Sequence, residues 1–107
     1  MTDIQIKTGV DMSGLAPELW AKAYEIAGAF DALGYSCVIT SARRPSGSKF
    51  SYHGIGRALD FRAKHIRTDN HRATILAKII GVCGNEFDVI LHGEGDNIHY
   101  HVEYDPK

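Results

Sequence analysis

The chain has 107 residues, 44% of them hydrophobic, which allows one domain with a real core and leaves little room for a second module. Its formal net charge of −1 argues against a nucleic-acid partner, and its longest apolar run is far too short to span a membrane. The first residues lack the charged and apolar regions of a signal peptide, so we expect synthesis in the cytoplasm. We predict a single, monomeric domain over residues 1–107, with no nucleic-acid or membrane partner.

Residues 13–34 carry the signals of a helix. Its start lies between Ser13 and Pro17, with Ser13 or the nearby turn as the cap and Pro17 in the first turn. Gly34 suits the left-handed position that follows a helix end. Apolar residues three and four apart predict one buried stripe, which consists of Trp20, Ala23, Tyr24, Ala27 and Phe30.

A second helix is predicted in the middle of the chain. It begins at Thr68 or Asp69 and runs to about Ile80, where Gly81 or Gly84 ends it. Its predicted buried side consists of Ala73, Leu76, Ala77 and Ile80.

Four strands are predicted, at 36–41, 58–62, 87–91 and 98–104. The first is rich in β-branched residues, and the second follows a tight glycine turn. The segment 4–10 is too short to classify and is a candidate edge strand. A short glycine-rich loop separates the last two strands, which predicts an antiparallel hairpin.

The two cysteines, Cys37 and Cys83, lie in apolar stretches and are predicted to be buried free thiols. A disulfide between them is unsupported, given the expected synthesis in the cytoplasm. Neither belongs to a Cys-x-x-Cys pattern, so neither is assigned to a metal site.

A histidine and a carboxylate flank a glycine turn in residues 51–61. Gly54 and Gly56 argue against a continuous helix and let the backbone fold back, so that His53 faces Asp60 on the following strand. Imidazole and carboxylate are two of the three protein ligands that a catalytic zinc site requires. The segment therefore predicts most of a zinc site and needs one further ligand.

The third ligand is expected from His99-Tyr100-His101. Alternation along a strand puts His99, His101 and Glu103 on one face and the apolar residues on the other. Taken alone, two such histidines are more often ordinary exposed strand residues than ligands. Together with the histidine and carboxylate of the glycine turn, they favour zinc ligation.

A zinc hydrolase also needs a carboxylate that takes a proton from the attacking water and a donor that stabilises the oxyanion. Candidates for the carboxylate are Glu94, Asp96 and Glu103, and candidates for the donor are Arg44 and His99. Each of these carboxylates is more often a solvated surface residue, and only their nearness to the histidine pair supports the assignment. We prefer Asp96, because glycines in its turn let the chain approach a metal closely.

One longer pattern resembles the zinc D-Ala-D-Ala carboxypeptidase and L-alanyl-D-glutamate endopeptidase family, to which small phage endolysins belong. It is Ser51-x-His53-x-x-Gly56-x-Ala58-x-Asp60, preceded by Ser41-x-x-Arg44 and followed by His99-x-His101. The resemblance extends over roughly residues 36–104. It implies the hedgehog/DD-peptidase fold, a small α+β fold with helices on one face of an antiparallel sheet and zinc on the other.

The resemblance also implies a role for each matching residue and a substrate. The substrate would be a peptidoglycan stem peptide, cut by a carboxypeptidase or an endopeptidase. The ligands of Zn²⁺ would be His53, Asp60 and His101, with His99 as the companion histidine beside the metal, Arg44 binding a substrate carboxylate or carbonyl, and Ser51 bracing the first turn.

The chain departs from the family in one respect. The family's catalytic acid commonly lies three residues before the zinc histidine. If the zinc histidine is His101, this chain has Ile98 at that position; if it is His99, the chain has Asp96 there. Either His99 is the ligand and Asp96 the base, or a shifted loop brings Asp96 or Glu94 to a site at His101. The third alternative is reduced or lost activity.

We therefore predict a zinc-dependent peptidase that hydrolyses peptidoglycan stem peptides, with Asp96, Arg44 and His99 as catalytic residues. A phage or prophage lysin of this kind would act on the cell wall after release from the cytoplasm. The alternative is a non-catalytic, zinc-stabilised binding or virion structural module of the same fold. A metal-free binding domain with incidental histidines is a third and weaker interpretation.

Overall fold

A computed structural model describes residues 3–42 and 56–106 of the chain. Within these residues the architecture is α+β, with two helices and one mixed sheet of five strands in the order β1-β2-β3-β5-β4. The elements are β1 (Ile4–Ile6), α1 (Pro17–Asp31), β2 (Cys37–Ser41), β3 (Ala58–Arg62), α2 (Asp69–Cys83), β4 (Phe87–His92) and β5 (His99–Tyr104), with a short 3₁₀ turn at Gly95–Asn97.

The predicted all-antiparallel sheet is wrong at one edge, because β1 pairs with β2 in parallel, with Ile4 opposite Cys37. Helix α1 lies between these two strands and carries the chain back across the sheet, which is the kind of crossover a parallel pair needs. The other neighbouring strands are antiparallel, and the predicted hairpin of β4 and β5 is confirmed.

Helix α1 begins at Pro17, whose missing amide costs nothing in the first turn. Ser13 is not its cap, because the Ser13 hydroxyl donates instead to the Asp11 carboxylate at 2.6 Å. The predicted end is confirmed, since Gly34 has a φ of 81° and the amide that follows it donates to the Phe30 carbonyl at 3.0 Å. This bond closes a Schellman motif at the end of the helix.

Helix α2 begins after Thr68, whose hydroxyl accepts a hydrogen bond from the His71 amide at 3.1 Å, and it ends at Gly84. Its predicted buried side is wrong by one position. The residues that the helix buries are Ile75, Ile79 and Cys83, whereas Ala73, Ala77 and Ile80 are exposed. Because Ile75, Ile79 and Cys83 are each four apart, they form one narrow stripe that meets the sheet.

Both helices pack on one face of the sheet. The Phe30 ring of α1 meets the Tyr100 ring of β5 edge to face at 5.7 Å between centroids and lies 6.4 Å from the Phe61 ring of β3. Ala23, Ala27 and Phe30 of the predicted stripe are buried and Trp20 is half-buried, whereas Tyr24 is exposed, with an exposed fraction of 62%. The prediction missed Leu19 and Ile26, which are also buried, so the buried side of the helix extends toward these two residues and away from Tyr24.

The two cysteines are free and buried, as predicted. Burial raises the pKa of the Cys37 thiol to about 12 and that of Cys83 to about 11. Both thiols therefore stay protonated at neutral pH and are poor metal ligands. In the part of the chain that the structure describes, no helix is long and apolar enough to cross a membrane.

Candidate functional site

The face of the sheet opposite the helices carries the polar residues of the predicted site. Antiparallel pairing of β3 with β5 puts Asp60 directly opposite His101 and Arg62 opposite His99. The predicted alternation along β5 is confirmed, since Tyr100 is buried in the core while His99 and His101 lie half-buried on the other face. The register of two strands thus assembles one cluster from residues some forty positions apart.

His101 lies between two carboxylates. Its Nδ1 is 2.8 Å from Asp60 Oδ1, and its Nε2 is 2.7 Å from Glu103 Oε1. Carboxylates accept hydrogen bonds, so this placement favours a ring that donates from both nitrogens, which is the imidazolium form. The hydrogen bond to Asp60 raises the pKa of His101, burial opposes the rise, and the hydrogen bond to Glu103 adds to it.

Two features of this arrangement bear on whether Asp60 and His101 could bind zinc together. Glu103 holds the Nε2 proton and so orients the ring with Nδ1 toward Asp60, as outer carboxylates do for metal-binding histidines. Two ligand atoms of a tetrahedral zinc ion lie about 3.3 Å apart, given bond lengths of about 2.0–2.1 Å. The Asp60–His101 pair would therefore open by roughly half an ångström to admit the metal.

A complete metal site needs a third ligand. Within residues 3–42 and 56–106, no group of three His, Cys, Asp or Glu side chains is arranged to hold a metal ion. The predicted third ligand, His53, lies outside the described residues, as do Arg44 and Ser51. The described part of the site is therefore a pair of donors, Asp60 and His101.

His99 is oriented differently from His101. Its Nδ1 donates to the backbone carbonyl of Asn97 at 2.7 Å, so the neutral ring presents a lone pair on Nε2. That Nε2 lies 3.9 Å from Asp60 Oδ1, beyond hydrogen-bond distance. His99 thus neighbours the donor pair as the predicted companion histidine, and it offers a proton to an oxyanion only as an imidazolium.

The candidate carboxylates occupy different places. Asp96 lines a cavity of about 420 Å³ together with Asp60 and His99, whereas Glu94 lines a neighbouring cavity of about 520 Å³ that does not include those two residues. Glu103 is already engaged with His101 Nε2. Of the three candidate carboxylates, Asp96 is the one that lines the same cavity as Asp60.

Glycine 56, the last glycine of the motif, anchors the chain just before β3. Its φ is +75°, and its carbonyl accepts a hydrogen bond from the Ala16 amide at 2.8 Å at the start of α1. A Cβ at this position would lie 2.3 Å from the Gly14 carbonyl oxygen. Only glycine fits at this position. The close contact with the start of α1 fixes the place where β3 begins, and with it the position of Asp60 on that strand.

The prediction from sequence missed three cations in the Asp60 cavity, namely Lys7, Arg62 and Lys64. One signal was available, because Arg62 is two residues from Asp60 on the same strand and must share its face. Lys7 had no such signal, since its place depends on the parallel pairing of β1. Alternation had placed Glu103 on the face of His101 and made it a candidate base, but its hydrogen bond to His101 Nε2 was not predicted.

Comparisons of this chain with protein-family models, with curated proteins and with solved structures find no match. The functional argument therefore rests on the fold, the geometry of the site and the pattern of residues in the sequence.

Proposed function

We propose that the protein is a zinc-dependent peptidase that hydrolyses peptidoglycan stem peptides. The observation that carries the proposal is the placement of His101, with Nδ1 2.8 Å from Asp60 and Nε2 held by Glu103. A carboxylate that orients a histidine toward a second carboxylate is typical of histidine ligands in metal sites. The resemblance of residues 36–104 to zinc carboxypeptidases and endopeptidases supplies the substrate class.

The residues that would hold the metal are Asp60 and His101, with His53 as the third ligand. Zinc, when bound, supplies a water molecule whose pKa is about 7 and polarises a carbonyl group. Asp96 would accept a proton from the attacking water and deliver it to the leaving amine, because it lines the same cavity as Asp60. Arg44 or a protonated His99 would donate to the developing oxyanion.

A second candidate function is a non-catalytic module of the same fold, stabilised by zinc and used for binding or as part of a virion. The residue that favours it is Ile98, which stands three positions before His101 and takes no proton. In that case zinc removal would lower the melting temperature, and no peptide bond would be cut.

The experiment is digestion of purified peptidoglycan by the zinc-loaded protein, read as newly released amino groups and by mass spectrometry of the fragments. We expect cleavage that chelation abolishes, and we expect His53→Ala and Asp60→Ala proteins to be inactive. Lys78→Ala, on the exposed side of α2, is the matched control and should retain full activity. A zinc-loaded protein that releases no amino groups would leave the binding module as the function.

A further inference from the structure

Strand β4 forms an open edge of the sheet. In residues 3–42 and 56–106 it pairs with β5 on one side and with no strand on the other. Natural proteins protect such edges with short strands, lysine or proline, because unpaired backbone groups recruit another chain. The opposite edge has this protection, since β1 is only three residues long and Lys7 follows it. Strand β4 is six residues long, Phe87–His92, and contains neither lysine nor proline.

The backbone groups that β4 directs outward follow from its pairing with β5. The Asp105 amide donates to the Glu86 carbonyl at 2.8 Å, so the hydrogen-bonded pairs of this ladder fall at Glu86 and at every second residue after it. Val89 and Leu91 lie between those pairs, and their N–H and C=O groups therefore point away from β5. The edge thus presents two donors and two acceptors to an added strand.

Apolar side chains border this edge on both faces of the sheet. Ile90 lies on the open face with an exposed fraction of 51%. Val89 and Leu91 lie on the helix face and are half-buried. A further strand at this edge would remove all three side chains from water, and such burial stabilises association.

Ile80 of α2 extends the apolar surface into the helix layer, where α2 packs on β4. Nine residues, or two and a half turns, separate Ile80 from His71, so the two side chains point to opposite sides of the helix. His71 Nδ1 lies 2.7 Å from the hydroxyl of Tyr35, just before β2. Ile80 therefore faces the open edge of β4, and its exposed fraction is 50%.

The sequence of β4 is complementary to itself in one antiparallel register. If Ile90 lies opposite Ile90 of a second copy, Asp88 lies opposite His92 of that copy, and a carboxylate accepts a hydrogen bond from an imidazole N–H. On the other face Val89 lies opposite Leu91, and these residues exchange four backbone hydrogen bonds across the axis. The neighbouring registers put Asp88 or His92 opposite Ile90 and lose these matched pairs.

We infer that the protein forms a symmetric dimer through β4, with the two-fold axis at Ile90 and perpendicular to the sheet. A two-fold dimer requires one surface that is complementary to itself, which β4 supplies. Two five-stranded sheets would join into one of ten strands. The dimer replaces the monomer expected from the sequence and does not depend on the proposed function. Because Ile90 pairs with His101, the two His101 residues would lie about 14 Å apart, three strand spacings, on one face.

Sedimentation equilibrium of the full chain measures the dimer and identifies the edge that forms it. We expect a mass of about twice 11.8 kDa at tens of micromolar protein. Ile90→Lys puts two like charges together at the axis and should weaken dimerisation at least about tenfold. Ile6→Lys is the matched control, because Ile6 is likewise an exposed isoleucine on an edge strand. Circular dichroism checks that both variants are folded.

Cysteine cross-linking tests the register. Directly opposite residues in a non-hydrogen-bonded pair have Cα atoms about 4.5 Å apart, a distance that a disulfide spans. Ile90→Cys should therefore form a disulfide-linked dimer under mild oxidation, whereas Ile6→Cys should not. Asp88→Cys and His92→Cys should each fail to cross-link alone and should cross-link when the two proteins are mixed. The two native cysteines are buried and do not compete.

Three results would overturn the inference. The first is a protein that stays monomeric up to about 1 mM, where even weak specific association is detected. The second is a dimer that Ile6→Lys dissociates and Ile90→Lys does not, because it would form through β1. The third is a dimer in which Ile90→Cys does not cross-link, because its axis would lie elsewhere.

Discussion

Replacement of Glu103 tests whether His101 is oriented as a metal ligand. In the structure the Glu103 carboxylate accepts the Nε2 proton of His101 at 2.7 Å, which leaves Nδ1 directed at Asp60. Loss of such an outer partner typically costs about 10–100-fold in metal affinity. Glu103→Gln keeps an oxygen acceptor and loses only the charge, so we expect about tenfold weaker zinc binding. Glu103→Ala loses both the acceptor and the charge, so its zinc affinity should fall by up to about 100-fold, or about 2.7 kcal/mol.

The assay is competition between the protein and a chromogenic chelator for zinc at neutral pH. Circular dichroism of each zinc-free variant checks that the fold is retained. The control is Glu86→Gln, which removes an exposed carboxylate just before β4. If Glu103→Gln and Glu103→Ala bind zinc as tightly as the unaltered protein, His101 Nδ1 is not a ligand that Glu103 orients.

Four further predictions concern the site and its attachment to the fold. Asp96→Asn should retain zinc and fold but lose about 10²–10⁴-fold in turnover, whereas Glu94→Gln should remain active; the opposite result would make Glu94 the base. The raised pKa of His101 means that zinc displaces a proton, so zinc affinity should fall as the pH drops through that pKa. Protonation of His101 stabilises the zinc-free protein, so its melting temperature should fall as the pH rises through the same pKa. The melting temperature of His101→Asn should not show this fall. Denaturant titrations should show that Gly56→Ala lowers the free energy of unfolding by about 2–4 kcal/mol, because its φ is positive and a Cβ there would collide with the Gly14 carbonyl. Gly81→Ala, at a helix position with open space around it, should raise the free energy of unfolding by up to about 1 kcal/mol.

Local patterns in the sequence predicted the parts of the fold that depend on neighbouring residues. The strand at 58–62 is confirmed residue for residue, and the division of β5 into a histidine face and an apolar face follows from alternation alone. The Schellman motif at Gly34 is likewise a local choice, because only glycine takes a left-handed conformation without cost.

The remaining features depend on tertiary packing, which periodicity does not specify. Tyr24 satisfies the helical spacing of the core stripe, yet it is exposed, while Leu19 and Phe30 are buried in the core. The parallel edge arises from the path of the chain through α1. The contact of Asp60 with His101 depends on strand register, since a shift of one residue would turn His101 to the other face.

Metal analysis of the purified protein tests the central claim most directly. After dialysis against zinc and removal of loosely bound metal, the unaltered protein should contain about one zinc per chain, as a three-ligand catalytic site requires. Asp60→Asn and His101→Asn should each retain far less, while Glu86→Gln should match the unaltered protein. An unaltered protein without stoichiometric zinc, or an Asp60→Asn protein that keeps it, would contradict the account.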